Sequence, residues 1–216
     1  SRTHAEFLEL ILQDELAIRG ERLIQRRINA AAFRELKTLD QFDFAFNPKI
    51  PRKLVFELAT ARFVSQCEDV LLLGPPGTGK SHLAQALGHC AVRHGHDVLF
   101  LTQSQLLGNL HKARAMGTYE RRFQALARVD LLIIDDVQFL SEREQSQEEF
   151  FHTFNSLFEI KKQIILSSDK KPQDIDDLEE RLIFSFQWGL IADIQPPDTE
   201  TKVAILKKKA LAKKIP

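Results

Sequence analysis

The chain alternates between helical stretches and short apolar runs. Four runs carry no polar residue: Val70-Leu71-Leu72-Leu73, Val98-Leu99-Phe100-Leu101, Leu131-Leu132-Ile133-Ile134 and Ile164-Ile165-Leu166. Each reads as a buried strand, and residues 190–194 read as a fifth. Between them, apolar positions recur at helical spacing over residues 51–66, 80–94, 104–115, 118–127, 147–160 and 178–186, and a last helix is expected to open at Pro196-Pro197. Ahead of this alternation, two helices are expected. One spans 3–20, with Thr3 and Glu6 as a capping box and Leu8, Ile11, Leu12 and Leu16 as its apolar stripe. The other spans 21–36, with Leu23, Ile24 and Ile28 on one side. The stretch from Phe42 to Pro48 reads as extended chain ending in a turn. It divides a helical N-terminal extension, residues 1–47, from a main domain, residues 48–216. Continuously apolar strands separated by helices imply a parallel sheet covered on both faces. Their order across the sheet is not written in the sequence.

The first strand runs into Gly74-Pro75-Pro76-Gly77-Thr78-Gly79-Lys80-Ser81, which fits G-x-x-x-x-G-K-[ST] at every position. Glycines let the backbone turn tightly enough to aim N–H groups at phosphate oxygens. The helix starting at Lys80 adds the positive end of its dipole. The pattern assigns these eight residues to an ATP cradle, with Lys80 at the β/γ-phosphates and the Ser81 hydroxyl on Mg²⁺.

Two acids, Asp135 and Asp136, close the third run. An apolar strand ending in acids is weak evidence by itself. Downstream of the glycine loop, with a complete strand intervening, it assigns Asp135 to the Mg²⁺ shell and Asp136 to orienting or deprotonating an attacking water. The intervening strand argues against a nucleoside-kinase arrangement. Asp169 ends Ile165-Leu166-Ser167-Ser168. It reads equally as a catalytic group watching the γ-phosphate and as a cap before Lys170-Lys171-Pro172.

Composition narrows the setting without choosing a partner. Lys+Arg and Asp+Glu both total 30 in 216 residues, so any basic surface must be local. Cys67 and Cys90 lack metal-like spacing and fall in apolar helical patterns, which predicts buried thiols in a reducing cytoplasm. No apolar run approaches the roughly 18 residues of a membrane span. The start, Ser1-Arg2-Thr3-His4, has neither an initiator Met nor a hydrophobic signal region, as expected of a cytoplasmic chain trimmed at its N-terminus.

These residues resemble the AAA+ ATPases of the clade that holds replication initiators, helicase loaders and transposition helpers. From about residue 6 to 134 the chain resembles the IstB transposition-helper family. Leu12-Gln13-Asp14-Glu15-Leu16-Ala17, Leu36-Lys37-Thr38-Leu39-Asp40-Gln41-Phe42-Asp43-Phe44, residues 71–83 and residues 111–128 carry that likeness. From Asp135 onward it resembles the DnaA initiator family, through Asp135-Asp136-Val137-Gln138-Phe139-Leu140, residues 147–155, residues 163–169, Trp188-Gly189-Leu190 and Pro196-Pro197. The chain thus reads as a hybrid with its seam in the shared acidic strand.

The resemblance implies an α/β fold: a P-loop AAA+ doubly wound parallel five-stranded sheet with a short helical N-terminal extension. It also implies an ATPase whose ATP sits between subunits of a homo-oligomer assembled on DNA. A transposase, or a replicative helicase or initiator complex, would be the partner. Two departures qualify this. The initiator family's second arginine in the finger helix is Ser185 here, which leaves Arg181 as the finger candidate and predicts slow turnover. Beside Glu179 and Glu180, Arg181 reads equally as part of a surface ion pair. The chain also stops at Pro216, short of the family's helical lid and duplex-reading domain.

Lys112, Arg114, Arg121, Arg122 and Arg128 cluster in the insertion between the second and third strands, which in this clade contacts DNA. Their alternative is a solvated helical face. Arg19, Arg22 and Arg26 share a face of the N-terminal element and carry the same two readings; Lys207-Lys208-Lys209 and Lys213-Lys214 read as a solvated end. A nucleotide-binding interaction module with little or no hydrolysis is the competing function.

Overall fold

The computed structural model describes residues 4–44, 47–142 and 144–196, with positions 199 and 203. The helix expected after Pro196, apart from the helical positions 199 and 203, the lysines at 207–209 and 213–214, and Thr3 of the capping box lie outside them.

In chain order the elements are α1 (His4–Ala30), α2 (Arg52–Ala59), α3 (Arg62–Gln66), β1 (Val70–Leu73), α4 (Lys80–Arg93), β2 (Val98–Thr102), α5 (Gln103–Ala115), α6 (Tyr119–Arg128), β3 (Leu131–Asp135), α7 (Glu144–Glu159), β4 (Gln163–Ser168), α8 (Glu180–Gln187) and β5 (Leu190–Asp193). Short 3₁₀ turns follow β3 and β4. The five strands form one parallel sheet in the order β2-β3-β4-β1-β5. Successive side chains of a strand point to opposite faces, and the two cores follow that alternation. Val70 and Leu72 join Phe100, Ile133, Leu83 and Leu87 on one side. Leu71 and Leu73 join Leu132, Ile134, Leu106 and Phe150 on the other. Apolar runs without a polar break are what a sheet buried on both faces demands.

The expected intervening strand exists, but it is a different one in space. β2 lies at the sheet edge, and β4 separates β1 from β3. The residue that ends β4 therefore falls between the glycine loop and the acidic pair.

Three local expectations fail for identifiable reasons. No break occurs at Gly20, which lies inside α1. A helical glycine costs only about 1 kcal/mol relative to alanine, too little to end a helix flanked by good formers. The helix stops ten residues later, where the Ala31 carbonyl accepts the Phe100 N–H at 2.8 Å and Ala32 turns left-handed. The apolar stripe of α1 is exposed: Leu8, Leu12 and Leu16 show 60%, 62% and 68% of their surface, whereas Ile24 and Ile28 pack on the core with Phe33 and Phe42. The expected 51–66 helix is divided at Ala61, whose φ is 56°. The cysteine expectation is likewise corrected. Cys67 ends α3 in a left-handed conformation and is exposed, while Cys90 is half-buried, with burial pushing its thiol up. No helix among the described residues is long and apolar enough to cross a membrane.

Asp69 ties β1 to both neighbours at the end of the sheet where its strands begin. Its Oδ1 accepts the Ile164 N–H and its carbonyl accepts the Leu190 N–H, both at 2.8 Å. Burial pushes this carboxyl up to about 6. A raised folded-state pKa gives stability that is present below the unfolded value of about 4 and lost as pH rises through about 6. Asp69→Asn keeps an acceptor for Ile164 and removes the buried charge. The variant is expected to be more stable than the parent by about 2 kcal/mol near pH 8, with the gap closing toward pH 4. Urea unfolding across that range measures it, and a pH-independent gap would contradict the assignment.

Candidate nucleotide site

The loop between β1 and α4 is held by its neighbours as much as by its own turns. The Gly74 N–H donates to the Ser168 carbonyl at 3.2 Å, and any Cβ at Gly74 would collide with the Ile194 carbonyl oxygen. Gly79 is left-handed at φ 95°, and a Cβ there would meet the Phe42 ring at 2.8 Å. Two contacts therefore require glycine, one of them with a residue of the N-terminal segment. Thr78 Oγ1 donates to the Pro75 carbonyl at 2.8 Å and fixes the bend. The loop ends in the first turn of α4, whose leading N–H groups have no intrahelical acceptor.

Lys80 is only 5% exposed. Its Nζ donates to the Pro75 carbonyl at 2.9 Å and pairs with Asp169 Oδ1 at 2.6 Å. The ammonium thus lies across the loop mouth, already compensated by the acid that follows β4.

Asp135 is fully buried at the end of β3. Its Oδ1 accepts from Ser81 Oγ at 3.0 Å and from Ser167 Oγ, while its buried Oδ2 accepts no hydrogen bond. The nearest charge paired with Oδ2 is Arg34 Nη1 at 3.9 Å. A buried carboxylate oxygen without a donor, beside a serine hydroxyl, is the hard oxygen set that suits Mg²⁺.

Asp136 follows in a left-handed conformation, φ 64°, which its backbone N–H holds by donating to Ser167 Oγ at 3.1 Å. Ser167 therefore serves both acids, donating to Asp135 and accepting from Asp136. Gln138 Nε2 stands 3.3 Å from Asp136 Oδ1 and 3.2 Å from Asp169 Oδ2, and Gln138 Oε1 accepts the Asp169 N–H at 3.3 Å. Burial pushes the Asp136 carboxyl up, and the neighbouring Asp135 charge pushes it further; Gln138 and Arg34 act against that rise.

The structure thus brings together Lys80, Ser81, Asp135, Asp136 and Asp169. Reading the sequence missed Arg34, Gln85, Gln138 and Ser167. Ser167 carried a signal, as a polar residue completing an apolar buried strand. Gln138 and Arg34 carried none.

The remaining candidates lie elsewhere. Arg181, in the first turn of α8, hydrogen-bonds Glu179 and sits 4.3 Å above the Phe151 ring. Lys112 on α5 and Arg121 and Arg122 on α6 share the wall of a shallow cavity of about 530 Å³ with Asn109 and Met116. Arg114 turns away from them, 3.6 Å from the buried Glu149 and 5.1 Å from the Tyr119 ring centre. Arg128 is exposed in the last turn of α6.

Residues 1–177 match the family described as IstB-like ATP binding protein. The chromosomal replication initiator protein DnaA of Thermoanaerobacter sp. (strain X514) is 46% identical over 156 residues, covering 71% of this chain and 35% of that protein. The DnaA of Pelobacter propionicus is 37% identical over 233 residues, covering 94% of this chain and 49% of its own length. The chain therefore spans between a third and a half of these relatives. A replication initiator DnaA solved with AMPPCP and single-stranded DNA superposes with a TM-score of 0.69 at 33% identity, over 84% of this chain and 56% of that one. The IstB-like match continues to residue 177 and a DnaA relative spans 94% of the chain, so both likenesses cover the acidic strand. With the loop, the acids and the strand order in place, this chain belongs to the IstB-like ATP-binding protein family and has the AAA+ fold it shares with the DnaA initiators.

Proposed function

We propose that this protein binds ATP with Mg²⁺, hydrolyses it slowly, and uses the nucleotide state to control assembly on DNA. The supporting observation is the convergence of Lys80, Ser81, Asp135, Asp136 and Asp169 from three adjacent strand ends. Lys80 exchanges its Asp169 and Pro75 contacts for the β/γ-phosphates. Ser81 and Asp135 would hold Mg²⁺, which would neutralise phosphate charge when bound. Asp136 accepts the proton of the attacking water. Gln138, bridging Asp136 and Asp169, keeps that carboxylate aimed at the γ-phosphate side.

Lys112, Arg121 and Arg122 form the DNA contact, with Arg114 and Arg128 peripheral to it. A likeness to an initiator solved with single-stranded DNA supports single strands as the ligand. A transposase or a replicative helicase complex is the protein partner, and the active form is a homo-oligomer in which Arg181 reaches a neighbour's site.

The test is fluorescence anisotropy of labelled single-stranded and duplex DNA with a non-hydrolysable ATP analogue, with ADP, or with no nucleotide. The analogue is expected to tighten single-strand binding at least tenfold. The triple alanine variant at Lys112, Arg121 and Arg122 should lose roughly that factor and flatten the salt dependence by about 0.7 per lost phosphate contact. Equal binding in all three nucleotide states would refute nucleotide control.

A second reading, an ATP-dependent interaction module with negligible hydrolysis, is favoured by one observation. Arg181 is engaged within its own chain by Glu179 and Phe151, and Ser185 Oγ donates at 2.8 Å to the Arg181 carbonyl. A trans-acting arginine has to break the first two contacts.

A further inference from the structure

We infer that Arg34 is a built-in competitor of the metal: its guanidinium neutralises Asp135 before Mg²⁺ arrives and must give way for the ion to bind. The inference deepens the site proposed above and rests on Asp135 and Ser81 being the metal's holders.

The two oxygens of Asp135 are used unequally. Asp135 Oδ1 is used by two serine hydroxyls, and Oδ2, buried without a hydrogen bond, faces Arg34 Nη1 at 3.9 Å. That distance is too long for a hydrogen bond and short enough for a substantial Coulomb attraction. A bare buried carboxylate is costly, so a nearby cation stabilises the empty site. The same cation repels a second one brought to the same oxygen.

A fixed backbone delivers Arg34 to that oxygen. The Ala31 carbonyl accepts the Phe100 N–H at 2.8 Å. The Glu35 N–H donates to Gln85 Oε1 at 3.1 Å, and Gln85 Nε2 donates to the Ser81 carbonyl at 3.2 Å. One buried glutamine therefore links the residue after Arg34 to the residue that offers the metal its hydroxyl. Phe33 stacks on His89 at 4.2 Å between ring centres, and the His82 ring meets the Thr38 carbonyl at 3.0 Å. The guanidinium lies 5.8 Å over the Phe100 ring, and the side chain is 49% exposed. It is anchored at its base and has open solvent to swing into.

Arg34 is thus a positioning residue, and its removal has a direction that damage cannot imitate. A perturbed fold weakens metal and nucleotide together, whereas loss of a competitor tightens the metal alone. The experiment titrates Mg²⁺ into the full chain with a fixed concentration of a fluorescent ATP analogue, for the parent, Arg34→Ala and Arg34→Lys. Half-saturating Mg²⁺ is expected to fall roughly fivefold in Arg34→Ala, as for loss of a half-exposed charge pair, and to stay near the parent value in Arg34→Lys. If the parent binds the analogue equally in EDTA and Mg²⁺, the metal-site reading fails and this inference falls with it. If the parent needs Mg²⁺ and Arg34→Ala requires the same concentration or more, the inference alone is overturned. A higher requirement would place Arg34 on the phosphates instead.

Discussion

Replacing Lys80 with alanine is expected to weaken ATP binding by roughly a hundredfold, on the basis of two lost charge-assisted contacts to the terminal phosphates. The side chain is almost wholly buried, and its Nζ is held by the Pro75 carbonyl and by Asp169. It therefore waits at the site with little side-chain freedom left to lose on binding. The substitution removes the ammonium and also leaves the Asp169 carboxylate without its cationic partner, facing the incoming phosphate. Both effects oppose binding. Lys80→Arg should restore little, because a planar guanidinium cannot reproduce a compact ammonium in a pocket this closed. Equilibrium titration with a fluorescent ATP analogue measures the loss, and circular dichroism of the variant separates it from unfolding. Binding within about fivefold of the parent would mean that the loop amides alone carry the phosphates, contrary to the arrangement described.

What could be read from the sequence follows from how locally each feature is encoded. The loop motif and the strands were legible because each depends on a contiguous string: glycines where the backbone turns, and unbroken apolar runs where a sheet is covered twice. The acidic pair was legible because it ends such a run. Strand order was not, since β4, far along the chain, lies between β1 and β3. That insertion brings Asp169 to Lys80 and Ser167 to Asp135, so the choice between cap and site residue could not be made from neighbouring residues alone. Arg34 and Gln85 were invisible for the same reason. Glu35, the residue after Arg34, meets Gln85 across 50 residues of sequence, through its N–H on the Gln85 side chain. The exposed stripe of α1 shows the converse error. Helical periodicity of leucines signals an apolar face, but it does not say that this chain provides the surface to cover it.

Asp136→Asn is expected to reduce phosphate release by about a hundredfold while leaving ATP affinity within about twofold, the signature of a lost general base. The geometry makes this substitution unusually clean. Asp136 adopts a left-handed backbone conformation, φ 64°, that asparagine also tolerates, so no strain is added. Its N–H contact with Ser167 is a backbone contact and survives. An amide oxygen still accepts from Gln138, as Oδ1 does now. The ability to take a proton is lost, together with the negative charge that Asp135 and Arg34 now feel. Asp135, which carries the metal reading, is untouched, and its Ser81 and Ser167 contacts remain. Single-turnover phosphate release and analogue binding, measured side by side with and without single-stranded DNA, separate the two functional readings. An enzyme loses release and keeps binding. A binding module shows the same trace from parent and variant, because there is no hydrolytic step for Asp136 to serve. In that case Arg181, held on Phe151 and Glu179, is a structural residue and not a finger.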